Sequence, residues 1–443
     1  MKTKLSSLHY CMAICLAIAF AGRAVAADQT WAKADPAAVA RWQALRFGMF
    51  IHWGPVSLTG KELSWSRGHG TPVEVYDNLY KQFDPVKFNA DDWVSLARAA
   101  GMKYIILITK HHDGFCMWDT KYTDYNIMNT PFHRDVVKEL SDACKKQGMA
   151  FGCYYSVPDV HDPDWPTSNV GGGKVRAKYN LDAYETYLQN QITELIGKYG
   201  PLLTIWNDTD SKQSMDLYGK RGAATIDLAR RLQPDILVDD RTGDGGDYAT
   251  PEQTVGAFQM DRPWESCMTV SSHGQWSWGG ASDGVKSASV CIGMLARCAG
   301  GDGNMLLDVG PRPDGIIDPL QAGLLKEIGQ WTATNGDSIY GTRGGPFMPG
   351  KWGASTRKGT TIYIHILAWN GDALHLPAIP AKVISARALN GAEVKYTQSA
   401  DGIALQVSPG KRDADDTVIA LEIDRPAMDL APVKDSSIGA IPR

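Results

Sequence analysis

Cysteine is scarce in this chain, eight among 443 residues, and no two form a C-x-x-C pair, so a disulfide framework is excluded. Long apolar runs are missing as well. The stretch from about Tyr10 to Ala21 is too short to span a bilayer, and no later segment reaches that length. Neither charge dominates: the formal net charge is −4 and 21% of residues are charged, so nothing electrostatic calls for nucleic acid or an anionic membrane. No G-x-G-x-x-G follows a strand, and there is no G-x-S-x-G, H-x-H or H-E-x-x-H. Dinucleotide, serine-nucleophile and zinc chemistry therefore lack their usual signals, and no cofactor and no metal are expected.

The N-terminus carries a clear signal. Met1-Lys2-Thr3-Lys4 is basic, an apolar stretch follows, and Ala24-Val25-Ala26 forms an A-x-A cleavage site, so residues 1–26 read as an export leader. Ile14, not a small residue, precedes Cys15, so no lipid anchor is expected. Loss of the leader leaves Cys116, Cys144, Cys153, Cys267, Cys291 and Cys298, expected mostly as buried apolar residues with room for one or two bridges. Fourteen Trp and seventeen Tyr against ten Phe is a mixture suited to clefts and layer boundaries alike.

From about residue 45 to 340, continuous apolar runs alternate with amphipathic stretches. The runs are Phe47–Trp53, Tyr104–Thr109, Ala150–Ser156, Leu202–Trp206, Ile236–Asp239, Ala257–Met260 and Asn304–Gly310, each patterned like a strand buried on both faces. The helices between them have N-caps at Asn89, Asp135 and Asp318 (with Pro319 next), and glycines 101, 148, 200 and 336 after their ends. This repetition predicts an α/β fold, a (β/α)8-like TIM barrel, over residues 27–345. A doubly wound sheet is the alternative. Short β-branched runs after Gly345 predict a C-terminal antiparallel β-sandwich over 346–425, with 426–443 as a tail.

Polar residues at the C-terminal ends of barrel strands face the site of chemistry. Those ends read His52-Trp53, His111-His112-Asp113, Tyr154-Tyr155, Trp206-Asn207-Asp208, Asp239-Asp240-Arg241 and Trp264-Glu265. His111 and His112 are adjacent, so on a regular strand their rings point to opposite faces, which disfavours shared metal ligation. Two carboxylates on separate strands beside tryptophans suit glycoside hydrolysis, and Asp208 and Glu265 fit that pair best.

The blocks "RFGMFIHWGPVS" (46–57), "TKHHDGFCMWDTKYTDY" (109–125), "GCYYSVPDVHDPDW" (152–165), "TPEQ" (250–253), "WESCMT" (264–269) and "GGDGNMLLDVGPRPDG" (300–315) together resemble the α-L-fucosidases of glycoside hydrolase family 29. The resemblance covers about residues 38–345. It implies a retaining mechanism with Asp208 as nucleophile, two residues after Trp206. It also implies fucose-binding roles for His52, His111, His112, Tyr155 and Glu62, with Trp206 along the sugar's apolar side. Glu265 is assigned as acid/base, with Glu252 and Asp261 in reserve. Asn207 and Thr209 flank Asp208 where the family usually has an aromatic or small residue and a glycine, and Gly280 stands where an aromatic is common, so substrate preference is open. The implied partner is a fucosylated glycan, with no nucleic acid and, once the leader is removed, no membrane. The oligomeric state is not read. A glycosidase for a fucose-like sugar such as galactose, and a sugar-binding relative without catalysis, are the rival readings.

Overall fold

A computed structural model describes residues 33–166, 176–210, 212–241 and 246–434. The expected leader and the end of the expected tail lie outside these residues. Seven parallel strands build the first sheet: β1 (Phe47–Ile51), β2 (Tyr104–Lys110), β3 (Ala150–Ser156), β4 (Thr204–Asp208), β5 (Leu237–Val238), β6 (Glu265–Thr269) and β7 (Asn304–Val309), in the order β5-β4-β3-β2-β1-β7-β6. Every residue of β2 and β7 is buried, as helices outside and a filled interior require. Sheet edges β5 and β6 are spanned by an extended segment, where Asp239 pairs with Tyr248, Ala249 with Trp264, and Glu252 with Cys267, all parallel. The curled sheet and this bridge make the expected barrel.

The helix ends follow the sequence signals. Asn89 accepts the Asp91 and Asp92 N–H groups at the head of Ala90–Ala99, and Asp135 caps Val136–Gln147, which stops at left-handed Gly148. Asp318 and Pro319 open Pro319–Asn335. One expected strand fails. Residues 257–260 form no strand; the sheet uses Glu265–Thr269 instead. That shift inverts the place of Glu265. Expected at a strand's C-terminal end, it begins β6 and so lies at the barrel's opposite, N-terminal end.

There Glu265 is fully buried, accepting hydrogen bonds from the Tyr104 hydroxyl and, at 3.3 Å, from Trp206 Nε1. Gly48 makes space for this: a Cβ there would lie 2.3 Å from the Tyr104 ring.

After β7 come two antiparallel sheets. One has the order β12-β15-β10-β9-β8, from Arg343–Gly344 (β8), Gly353–Lys358 (β9), Thr361–Ile366 (β10), Val383–Ala388 (β12) and Thr417–Ile423 (β15). The other is β11-β14-β13, from Leu374–Leu376 (β11), Val394–Ser399 (β13) and Gly402–Val407 (β14). Ile362, Ile364 and Ile366 of β10 share a core with Leu374, Leu376, Ile403 and Leu405, which is the sandwich interior. Alternation turns Tyr363 to the barrel's core and His365 toward Trp331. The β-branched runs after residue 345 account for β10, β12, β13, β14 and β15; β8, β9 and β11 were not anticipated. The six described cysteines are all free and buried, so the allowance for one or two bridges is not used among them. Among the described residues no helix is long and apolar enough to cross a membrane.

One buried ion cluster ties the barrel to β8. Arg46 Nη2 lies 2.7 Å from Asp302 Oδ1, and Arg343 Nη2 lies 2.6 Å from Asp302 Oδ2. Asp302→Ala leaves the wholly buried Arg46 uncompensated and should cost about 3–5 kcal/mol in denaturant unfolding.

Glu265 gives a second expectation. Burial pushes its pKa up to about 7, against the hydrogen bonds from Tyr104 and Trp206. A carboxyl raised in the fold contributes stability that is full below its ordinary value and is lost as pH rises through the folded one. The window here runs from about 4.5 to about 7, and the loss is on the order of 3 kcal/mol. Thermal melts across that range should show a falling stability for the native chain and a flatter profile for Glu265→Gln; identical profiles would refute the assignment.

Candidate active site

Asp208 ends β4, and Trp206, two residues earlier, shares its side of the strand. Asn207 between them stays out of the pocket; its N–H donates to Asp239 Oδ1 at 3.1 Å. The pocket holds about 190 Å³ and is lined by Phe50, His52, Trp65, His111, His112, Tyr154, Trp206, Asp208, Thr209, Asp210, Arg241, Glu252, Cys267 and Trp276. It thus brings together His52, His111, His112, Trp206 and Asp208, as expected, and leaves out Glu62, Tyr155, Glu265 and Asp261.

Each omission has a physical reason. Tyr154 and Tyr155 are neighbours on β3, so one must face inward and the other outward. Tyr154 is the inward one, donating its hydroxyl to Asp208 Oδ2 at 2.7 Å. Tyr155 points to the helix layer, where it bonds Gln191 at 2.6 Å and Lys110 Nζ sits 4.3 Å from its ring. Tyr154, one residue earlier, thus takes the place in the pocket expected of Tyr155. Glu62 accepts the N–H groups of Trp276 at 2.8 Å and Ser277 at 3.1 Å, so it holds the loop bearing Trp276. Glu265 sits at the barrel's far end, and Asp261 is exposed outside the lining. Of the unusual positions, only Thr209 lines the pocket; Asn207 and Gly280 do not.

The two histidines depart from expectation in the opposite way. β2 ends at Lys110, with a register shift against β3 just before it, so His111 and His112 lie in a turn and strand alternation does not apply. Both rings enter the pocket, 4.2 Å apart. The turn is held from behind. Buried Lys110 lies 3.2 Å from Asp159 Oδ2, and the Val160 N–H donates to the His112 carbonyl at 2.9 Å. Gly114 has φ +83, and a Cβ there would sit 2.2 Å from Asp159 Oδ1, so only glycine fits. His111, His112 and Asp208 offer ligand atoms within 4.8 Å of one another, a set with the chemistry to hold a cation.

Electrostatics single out Asp208. Burial pushes its pKa up, but Arg241, His112 and the Tyr154 hydroxyl outweigh burial and hold it below the usual carboxylate range. Arg241 Nη1 lies 2.7 Å from Asp208 Oδ1, Nη2 lies 2.8 Å from Glu252 Oε2, and the guanidinium carbon is 4.6 Å from the Trp206 ring centre. Arg241 was visible as part of a polar strand end and was given no role; a lone charge there does not announce a partner on another strand. Glu252, held in reserve from sequence, stands at the mouth with its side chain 44% exposed. His52 Nδ1 meets Asp308 Oδ1 at 2.6 Å, and burial pushes the His52 pKa down to about 3, so its ring is neutral.

The family model for alpha-L-fucosidase matches residues 16–337. The tissue alpha-L-fucosidase of Bos taurus is 28% identical over 372 residues, covering 76% of this chain and 77% of that protein. Among solved structures, alpha-L-fucosidase isoenzyme 1 from Paenibacillus thiaminolyticus superposes with a TM-score of 0.80 at 33% identity, over 87% of this chain and 99% of that one. A GH29 alpha-L-fucosidase from Bacteroides thetaiotaomicron, captured as a covalent intermediate with 2-fluoro-fucosyl fluoride, gives 0.79 at 25% identity over 88% and 97%. A family model that spans most of the chain and a solved relative aligned over nearly its whole length show that the chain belongs to the alpha-L-fucosidase family and is a glycoside hydrolase.

Proposed function

We propose that the chain is an exported, retaining exo-α-L-fucosidase in which Asp208 is the nucleophile and Glu252 the acid/base. The observation that carries this reading is one guanidinium, Arg241, held between the two carboxylates at the pocket mouth. Retaining pairs hold their carboxyls about 5–5.5 Å apart and inverting pairs about 6.5–9.5 Å; retention is supported here by the likeness to the GH29 enzyme captured as a covalent intermediate. Glu265 is withdrawn from the acid/base role, because it lies at the wrong end of the barrel.

In the first step Asp208 attacks the anomeric carbon, the bond to the leaving oxygen breaks, and Glu252 gives that oxygen its proton. In the second, Glu252 takes a proton from water, the water oxygen bonds the same carbon, and the ester to Asp208 breaks. Two inversions retain configuration. The volume near 190 Å³ is below the about 300–1,000 Å³ of pockets enclosing drug-sized ligands, which suits one terminal sugar. Past Glu252 it opens to a cleft of about 750 Å³ that shares Thr209, Asp210, Arg241 and Glu252, with room for the remaining glycan.

Asp208→Gly should fold and lose nearly all turnover, and azide should restore cleavage of an activated fucoside, giving the β-fucosyl azide. Glu252→Ala should lose about 10²–10⁴-fold on poor leaving groups and far less on good ones. Near-normal activity of Asp208→Gly, or equal losses across leaving groups for Glu252→Ala, would sink the corresponding assignment.

In this reading His111 and His112 bind sugar hydroxyls. Exhaustive chelation should leave the rate unchanged, and a loss reversed by zinc or calcium would assign them to a metal.

A further inference from the structure

Behind each of the two pocket histidines stands a buried serine, and the two serines are wired differently. Ser156 Oγ donates to the Pro158 carbonyl at 2.6 Å. A carbonyl has no proton to give, so the hydroxyl hydrogen is spent there. The same oxygen lies 2.5 Å from His112 Nδ1, and that contact needs a proton too, so Nδ1 must supply it. Ser64 Oγ instead accepts the Asp113 N–H at 3.0 Å and lies 2.6 Å from His111 Nδ1. Among the described residues its hydroxyl hydrogen has one acceptor within reach, the His111 Nδ1 lone pair. Ser64 is wholly buried, and leaving that hydrogen unpaired would cost about 1–3 kcal/mol. Ser64 is itself held in place: it adopts φ +58, uncommon for a residue with a side chain, and its N–H donates to the Tyr76 hydroxyl at 2.8 Å.

We propose that Ser64 and Ser156 lock His111 and His112 into opposite neutral tautomers, so that the pocket presents an N–H donor at His111 Nε2 and a lone-pair acceptor at His112 Nε2. Both serines are positioning residues, acting through the rings. Burial, the largest influence on either ring, lowers both pKa values and agrees with neutrality. The consequence is a directional code for the ligand. His112 Nε2 lies 3.6 Å from Asp208 Oδ2, and in this tautomer both atoms carry lone pairs toward the gap. The group that sits there must donate, as a sugar hydroxyl beside the reacting carbon does. The hydroxyl facing His111 must accept. A stacked contact fixes that donor's direction, since the His111 ring lies parallel to Tyr154 within 5° at 5.4 Å.

The test reads the tautomers directly and rests on no substrate. Full-length protein labelled with ¹⁵N-histidine is examined by NMR at neutral pH, with His111→Gln and His112→Gln identifying the two rings by loss of signal. Expected are one ring protonated at Nδ1 (His112) and one at Nε2 (His111). The same tautomer in both, the reverse pairing, or a cationic ring overturns the proposal. In Ser156→Ala the His112 signals should move toward a mixture of tautomers while those of His111 hold. The His365 ring, buried 2.7 Å from Asp416 in the sandwich, reports that the variant is folded. Unchanged His112 signals would remove Ser156 from the role. A second arm rests on the fucosidase reading: Ser156→Ala should raise KM for an aryl α-L-fucoside roughly three- to tenfold, the worth of one hydrogen bond, and move kcat less. If the protein cleaves no fucoside, that reading fails and the tautomer result stands by itself.

Discussion

The site depends on keeping one buried carboxylate charged. Asp208 is withdrawn from water at the end of a strand, which by itself favours the neutral acid. Arg241, His112 and the Tyr154 hydroxyl reverse that preference, and they come from the segment after β5, from the turn after β2 and from β3. A carboxylate held this way is desolvated and ionised together, the state a nucleophile needs. The bond with Arg241 also reaches Glu252, so the same cation that maintains one acid positions the other.

The barrel links this site to its own far end. Trp206 forms part of the pocket wall, and its indole N–H reaches down to Glu265, which Tyr104 and Gly48 accommodate at the N-terminal end of the strands. The tryptophan and glutamate that resembled an acid/base motif are therefore part of the packed interior. The Glu265 carboxyl accepts from the Trp206 indole and the Tyr104 hydroxyl, away from the pocket. Lys110 and Asp159 do comparable work behind the histidine turn, pinning the loop after β3 to the turn after β2.

How much was legible can be judged residue by residue. The strands, the helix caps at Asn89, Asp135 and Asp318, and the change to short β-branched runs after residue 345 are local signals, written in spacing and in turn chemistry. His52, His111, His112, Trp206 and Asp208 stood at strand ends and reached one pocket. Tyr154 and Tyr155 sit in one motif, and only the phase of β3 separates them. The strand expected at 257–260 pulled Trp264-Glu265 to the wrong end of its neighbour, and Glu265 was misplaced with it.

Sequence alone determined the alternation of strand and helix, the residue types offered at each strand's end, and the family resemblance they carry. Those follow from periodicities of two and 3.6 residues and from short motifs, which are properties of neighbours along the chain. Tertiary structure decided which tyrosine faces the pocket, which end of the barrel receives Glu265, and that Arg241 joins Asp208 to Glu252. Each of these is a contact between residues about 10–60 positions apart or a matter of strand phase, set by how the curled sheet brings separate strands into register, and no local pattern encodes it.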